Sequence, residues 1–242
     1  MKRNDVFKEI QEVAAFLVNK GWAERNAGNF SHRLDAEVIN TLFKVIPEFR
    51  HRICLEIDLE QHNIKGNIDP ILISVADCKF RDIVNDPLSH CGIVLYEDNK
   101  LIFLSCQDNI MPTSELPSHL SIHQFLSANN PTKSSVLHTH PTYLLALSHK
   151  FYGYSKEKLN GLLESIMPEV GYYIPKQAGF VDYHTPGSNE LAQATIQELT
   201  NHDVIVWKKH GCLAVAETFW GVVDMMDMLD KAAHVALLAG LE

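Results

Sequence analysis

Apolar residues recur along this chain at spacings that change from one segment to the next. In the first twenty residues they follow at intervals of three and four, as on one face of a helix: Val6, Ile10, Val13, Ala14 and Leu17. Gly21 follows where a glycine commonly ends a helix, so the pattern predicts a first helix that stops there. The next segment, AERNAGNFSHRL, carries small and amide residues around Gly28 and then alternates, which predicts a tight loop before a strand.

Strand and helix patterns are interleaved through the rest of the chain. Segments rich in strand-forming residues are PILISVAD, GIVLYEDNKLIFLS, SSVLHTH, YYIPKQAG and DVIVWKKHGCLAVA, the second with a hairpin turn at Asp98-Asn99. Helical patterns are PSHLSIHQFLSA, PTYLLALSHKF, SNELAQATIQELTNH with Ser188 as N-cap, and residues 219–241. They predict a single α/β (α+β) domain over residues 1–242, a central, mostly antiparallel sheet flanked by helices. Residues 36–66 are mixed and could form a small insertion.

Composition and charge narrow the class of protein. With 46% hydrophobic and 21% charged residues, the chain matches an ordinary globular protein, and its net charge of -9 disfavours nucleic acid as a partner. Charged residues interrupt the first apolar stretch, and no run is long enough to span a bilayer, so we expect a cytoplasmic protein without a membrane partner. Five widely spaced cysteines without a CxxC pair indicate reduced thiols.

Three histidines are candidate metal ligands. His138 and His140 are two positions apart at the end of a predicted strand, so their imidazoles leave the same face. Alone, this pair is a weak indication, because thirteen histidines produce such pairs by chance, and core packing explains it better. His210 ends another apolar strand and precedes Gly211, which allows a sharp turn. Three neutral imidazoles and an open position are typical of catalytic zinc.

Other polar residues allow two interpretations. His119 and His123 are four apart on a predicted helix, but Leu120 stands where zinc proteases have glutamate, so we interpret them as packed or solvent-facing helix residues. Glu115 precedes the same helix. It is either a capping carboxylate, or a general base or fourth metal ligand.

Several long motifs, in a fixed order, carry a family resemblance. They are GWAERNAGNFSHRL, PTSELPSH, HTHPTYLLAL, TPGSNELAQATIQEL and VIVWKKHG. With them, nearly the whole chain resembles the class II aldolases of the aldolase/adducin family, and most closely the branch acting on L-rhamnulose 1-phosphate. The resemblance implies zinc-dependent retro-aldol cleavage of that sugar phosphate to dihydroxyacetone phosphate and L-lactaldehyde. It also implies a homotetramer with its sites at subunit borders.

The resemblance assigns roles to residues of this chain. The family's zinc ligands match His138, His140 and His210, with one Zn²⁺ per subunit. Its catalytic glutamate matches Glu115, and a second acid, lent by the neighbouring subunit, matches Glu169 in MPEVGYYIP. Tyr172 or Tyr173 could take the place of Glu169, although aromatic packing explains them better. The residues that help to bind the substrate phosphate match Asn26, Gly28, Asn29 and Ser114.

One loop departs from the family pattern. SVADCK has Ala76 where a small hydroxyl is usual and Asp77 where glycine is usual, and a carboxylate there repels a phosphate. Lys79 could compensate, or the loop could shift so that Ser74 serves. Two alternatives therefore stay open. One is a related metal-dependent aldolase or epimerase on another sugar or sugar phosphate, and the other is a non-catalytic, adducin-like binding protein.

Overall fold

One sheet of nine strands organises the part of the chain that the computed structural model describes, which comprises residues 3–35, 38–39, 42, 49, 51–55, 59–60, 64, 68–98 and 100–241. The strands are β1 (Asn29–Arg33), β2 (His51–Leu55), β3 (Ile71–Ser74), β4 (Cys91–Glu97), β5 (Lys100–Ser105), β6 (Ser135–Thr139), β7 (Ala178–Val181), β8 (Val204–Trp207) and β9 (Gly211–Ala216). Their order is β2-β5-β4-β3-β1-β6-β9-β8-β7. Each neighbouring pair is antiparallel except β7 and β8, which confirms the predicted mostly antiparallel sheet.

Helices cover both faces of this sheet. They are α1 (Arg3–Lys20), α2 (Phe80–Ile83), α3 (Leu116–Asn129), α4 (Thr142–Lys150), α5 (Lys156–Ile166), α6 (Glu169–Tyr173), α7 (Asn189–Leu199) and α8 (Phe219–Ala239). Successive strand residues belong to different apolar clusters, as Val204 and Ile205 show, because alternate side chains leave opposite faces. The larger cluster includes residues of α1, α4, α5 and α8, the smaller one includes residues of α7, and α3 contributes to both. Burial on both faces explains the continuous apolar runs of the central strands.

Several predicted boundaries agree with the structure. The first helix ends at Lys20, and Gly21 follows with φ of 71°. Ser188 caps α7 by accepting a hydrogen bond from the Leu191 N–H. The β4–β5 hairpin turns after Glu97, which pairs with Lys100.

One predicted strand is wrong over most of its length. The segment YYIPKQAG begins in α6, and strand β7 starts only at Ala178. Pro168 precedes α6 in a helical conformation and directs the chain into a short helix, which local strand propensity does not reveal.

The predicted insertion at 36–66 lies largely outside the described residues. Its described strand, β2, pairs with β5 as an edge of the main sheet. The insertion stays a prediction. No helix in the described ranges is both long and apolar enough to cross a bilayer.

Candidate metal centre and its cavity

The three predicted ligand histidines converge at one end of the sheet. His138 lies in β6, His140 directly follows it, and His210 lies in the turn between β8 and β9. Because β6 and β9 pair with Thr139 opposite Cys212, this turn comes beside His140. One ring nitrogen from each histidine lies within 4.8 Å of the others, and the ring centroids are 4.7 to 5.8 Å apart.

Gly211 permits this close approach. A Cβ atom there would lie 2.7 Å from His140 Cδ2 and the Thr139 carbonyl oxygen, and 2.8 Å from His138 Cε1. The glycine is therefore required by the space beside the imidazoles. The sequence suggested instead that Gly211 allows a sharp backbone turn. In the structure, the residue of this turn with a left-handed backbone is Lys209, with φ of 65°.

Hydrogen bonds orient two of the imidazoles. His138 Nδ1 lies 3.0 Å from the Cys212 carbonyl oxygen, to which it donates, and His140 Nδ1 lies 2.7 Å from Glu24 Oε1. Each Nε2 then carries a lone pair, since the outer partner of a ligating histidine sets its tautomer. Glu24 is not among the residues that the sequence predicted for the site, although it lies in the motif GWAERNAGN together with Asn26, Gly28 and Asn29.

The electrostatics of the cluster suit a cation. Burial lowers the pKa of His138 well below its usual value and, with His140 nearby, lowers the pKa of His210 to about 4. Both rings are therefore neutral at physiological pH, which is the form that binds zinc. His210 Nδ1 is buried and has no hydrogen-bond partner among the described residues. The donor set and its protonation fit one metal ion.

Helix α4 is anchored directly after the ligand strand. The buried Asp230 of α8 accepts hydrogen bonds from the Tyr143 and Leu144 N–H groups at the start of α4. This contact satisfies two free donors of the helix N-terminus and holds the chain that leaves His140. Asp230 stands 90 residues after His140, and the local sequence pattern does not indicate that Asp230 contacts the start of α4.

Glu115 lies in the same cavity and is buried. It immediately precedes α3, but its side chain makes no capping hydrogen bond, so the capping interpretation is wrong. Burial raises the pKa of Glu115 to about 7, against the opposing effect of a hydrogen bond from Asn29. Its Oε2 atom has no partner in the described part of the chain. A carboxyl group with this pKa can take and return protons near neutral pH.

A cavity of about 340 Å³ brings most of the predicted site residues together. Its lining includes His138, His140, His210, Glu115, Asn26, Gly28, Asn29 and Ser114. Asn29 lies directly opposite His138 in the β1–β6 register, so the two share a sheet face. Gly28 has φ of 83°, and a Cβ there would lie 2.8 Å from the His138 carbonyl oxygen. These contacts explain the glycine and amide residues of the loop.

The divergent loop contributes a carboxylate to this cavity. Asp77 adopts φ of 54° and accepts a hydrogen bond from Asn26 Nδ2 at 3.1 Å. Glycine, which the family pattern described above has at this position, adopts this backbone conformation without strain. Neither Lys79 nor Ser74 is among the lining residues, and the buried Ser74 hydroxyl accepts from the Phe30 N–H instead.

Glu169 is not brought to this cavity within the chain. It lies exposed on α6, and the described cavity lining excludes it. Tyr172 and Tyr173 on the same helix are 78% and 63% exposed, so they do not pack in this chain's core.

Comparison with known proteins identifies a matching family and similar sequences. A family described as Class II Aldolase and Adducin N-terminal domain matches residues 8–237. Rhamnulose-1-phosphate aldolase of Bacteroides thetaiotaomicron is 35% identical over 96% of this chain and 84% of its own length. The Listeria monocytogenes protein of that name is 26% identical over 94% and 82%.

Solved structures of aldolases share the fold of this chain. Sugar-phosphate aldolase from Thermotoga maritima superposes with a TM-score of 0.81 at 29% identity, over 98% of this chain and 96% of that one. L-fuculose-1-phosphate aldolase from Thermus thermophilus has a TM-score of 0.62 at 17% identity, over 97% and 94%, a likeness of fold alone. The predicted fold class and family resemblance are confirmed.

Proposed function

Because this chain belongs to the family of class II aldolases and adducin N-terminal domains, we propose that it cleaves L-rhamnulose 1-phosphate to dihydroxyacetone phosphate and L-lactaldehyde. It is a lyase of the metal-dependent aldolase type, and its substrate is a sugar phosphate. One observation carries the proposal: three imidazoles and a buried carboxyl group with a pKa of about 7 share one cavity.

The histidines and Glu115 have different roles in the proposed reaction. A zinc ion held by His138, His140 and His210 would supply positive charge that stabilises negative charge developing on the dihydroxyacetone half. Glu115 moves the proton at the nucleophilic carbon of that half. Its burial keeps competing water away, and its pKa near 7 makes both protonation states accessible. The imidazole set favours zinc over magnesium or calcium, and we propose one ion per subunit.

We propose that Asn26, Gly28, Asn29 and Ser114 bind the substrate phosphate. They line one cavity with the histidines, and Gly28 leaves space for close backbone approach. The four described free cysteines support a reducing, cytoplasmic location. The net charge of -9 supports a small-molecule substrate over a nucleic-acid partner.

The decisive experiment is a coupled assay for dihydroxyacetone phosphate released from L-rhamnulose 1-phosphate. L-Fuculose 1-phosphate and L-ribulose 5-phosphate serve as competing substrates. We expect the highest kcat/KM for L-rhamnulose 1-phosphate. Preference for a competitor would assign a related aldolase or epimerase activity instead, and saturable zinc binding without turnover of any ketose phosphate would assign the adducin-like role.

Charge at Asp77 tests whether the natural substrate carries a phosphate. We expect Asp77→Asn and Asp77→Gly each to lower KM for L-rhamnulose 1-phosphate only about threefold, because the exposed carboxylate is already bonded to Asn26. Asparagine tolerates the left-handed backbone and removes only the charge. Equal changes in KM for the two variants would therefore show that the charge, and not the backbone conformation, is responsible. Steady-state kinetics measures both. An improvement of a hundredfold would show that the cavity selects against phosphate and would contradict the proposed substrate.

We further propose a homotetramer in which Glu169 completes the site of a neighbouring subunit. Its exposure on α6, beside two exposed tyrosines, supports a role outside its own chain. Glu169 then exchanges a proton with the aldehyde oxygen, on the opposite side from Glu115.

Mixed subunits test this arrangement. Glu115→Ala and Glu169→Ala are each expected to be inactive alone. Co-assembled in equal amounts, they should recover about a quarter of the wild-type rate, because random pairing joins intact residues at that fraction of borders. Absence of recovery in a mixed oligomer verified by mass spectrometry would place Glu169 in its own subunit's site or outside catalysis.

A further inference from the structure

Two buried histidines of α3, His119 and His123, have no part in the function proposed above. Each is 1% exposed, although a histidine in a core needs hydrogen-bond partners. They stand four and eight residues after Glu115, so the three side chains occupy one face of the helix. This face meets β1, where Asn29 and Ser31 leave the same side of the strand.

Hydrogen bonds join the two histidines, Ser31 and Asn29 in a continuous chain that ends beside Glu115 in the cavity. Ser31 Oγ lies 2.7 Å from both His123 Nε2 and His119 Nδ1. His119 Nε2 lies 2.6 Å from Asn29 Oδ1. Asn29 and Glu115 line the same cavity, where the Asn29 side chain opposes the rise in the pKa of Glu115.

The direction of each bond follows from the acceptors. Asn29 Oδ1 only accepts, so His119 carries its proton on Nε2 and accepts at Nδ1 from the Ser31 hydroxyl. Ser31 Oγ then accepts from His123 Nε2–H. His123 Nδ1 is left as a bare acceptor, and it is buried without a partner among the described residues. All the donors therefore point toward Glu115.

We propose that His119 is a positioning residue which, held by Ser31 and His123, locks the amide of Asn29 with its N–H directed at the Glu115 carboxylate. The inference rests on the proposed role of Glu115. Without His119, the Asn29 amide could turn over and present its oxygen to the carboxylate. Buried networks of this kind fix a single geometry because an unpaired member costs free energy.

The tautomers provide a test that does not depend on turnover. We expect ¹⁵N spectra of histidine-labelled protein to show both His119 and His123 neutral with the proton on Nε2, assigned by His119→Gln and His123→Gln. A proton on Nδ1 of His119 would require the reversed Asn29 amide and would overturn the proposal.

Kinetics test the positioning role itself. We expect His119→Leu to lower kcat at least tenfold with metal content unchanged, as for other residues that orient a reacting group, and to raise KM by a smaller factor because Asn29 also contacts the substrate phosphate. His119→Gln should recover most of kcat, because its amide can donate to Asn29 and accept from Ser31. Equal losses in both variants, or a change confined to KM, would indicate packing or substrate binding and overturn the proposal.

A second variant guards against misfolding. Ser31→Ala breaks the chain one bond further from Asn29 and should lower kcat about three- to tenfold. Ser135→Ala is the matched control, because this buried serine of the neighbouring strand bonds His32 and stands outside the chain. If the wild type is active and neither Ser31→Ala nor His119→Leu lowers kcat, the positioning role is refuted and the proposed function is not. A wild type that cleaves no ketose phosphate would refute the proposed function, while the tautomers would still decide the hydrogen-bond direction.

Discussion

Replacing Glu115 with glutamine is expected to lower kcat for aldol cleavage by about a thousandfold, the range typical of a lost general acid-base group. Glutamine keeps the size and the hydrogen-bond acceptor of the buried side chain but cannot take the proton. KM should change little, because the amide still fits the cavity beside Asn29. Stopped-flow or steady-state kinetics on metal-loaded protein measures the loss.

The same substitution is expected to stabilise the metal-free protein at alkaline pH. Burial raises the pKa of Glu115 from 4.5 to about 7, so ionising it costs more in the folded than in the unfolded chain. Its contribution to stability is full below pH 4.5 and is lost as pH rises to 7, by on the order of 3 kcal/mol. The glutamine variant lacks this loss, so the difference in unfolding free energy should appear between pH 5 and pH 8.

Urea unfolding at several pH values after chelation decides the matter. Glu12→Gln is the control, since this exposed residue of α1 forms a surface ion pair with Lys8 and should change stability by less than about 0.5 kcal/mol. If Glu115→Gln and wild type lose stability in parallel as pH rises, another group is responsible. Unchanged kcat in Glu115→Gln would exclude its role in proton transfer.

Removing the metal ion is expected to abolish cleavage and to lower the free energy of unfolding by about 4 kcal/mol, the gain from a ligand present at a thousand times its dissociation constant. Zinc should restore both. His140→Ala should have the same effect permanently, and it suits the test because the His140 side chain is 18% exposed and leaves little buried space.

His149→Ala is the matched control for the metal site. His149 is an exposed residue of α4, one helix away from the ligands in sequence, and its loss should leave metal content and kcat unchanged. Metal analysis should find about one ion per chain in wild type and this control, and almost none in His140→Ala. Cleavage that survives chelation, with metal analysis showing no ion, would refute the metal-dependent mechanism.

The cost of burying Glu115 and the fit of the imidazoles have a common physical cause. Burial in the cavity lowers the pKa of His138 and His210 and raises the pKa of the Glu115 carboxyl group to about 7. A charge that develops in such a place interacts strongly with its neighbours. Stability is given up at one carboxyl group, and proton transfer near neutral pH becomes possible there.

Local sequence patterns determine much of this protein. The spacing of apolar residues predicted α1, α7 and the β4–β5 hairpin, because helix and strand periods are properties of short segments. The two-residue spacing of His138 and His140 likewise placed their imidazoles on one strand face. The ends of a predicted strand and the start of a predicted helix singled out His210 and Glu115, and long ordered motifs added the family itself.

Only the tertiary structure decided how these residues act on each other. The burial that shifts the Glu115 pKa, the space that requires Gly211, and the bond from Asn26 to Asp77 all depend on how distant segments dock. The chain from Ser31 to His119 joins residues 88 positions apart. Strand register and helix packing set such contacts, whereas sequence spacing reports only on neighbours within a turn or two.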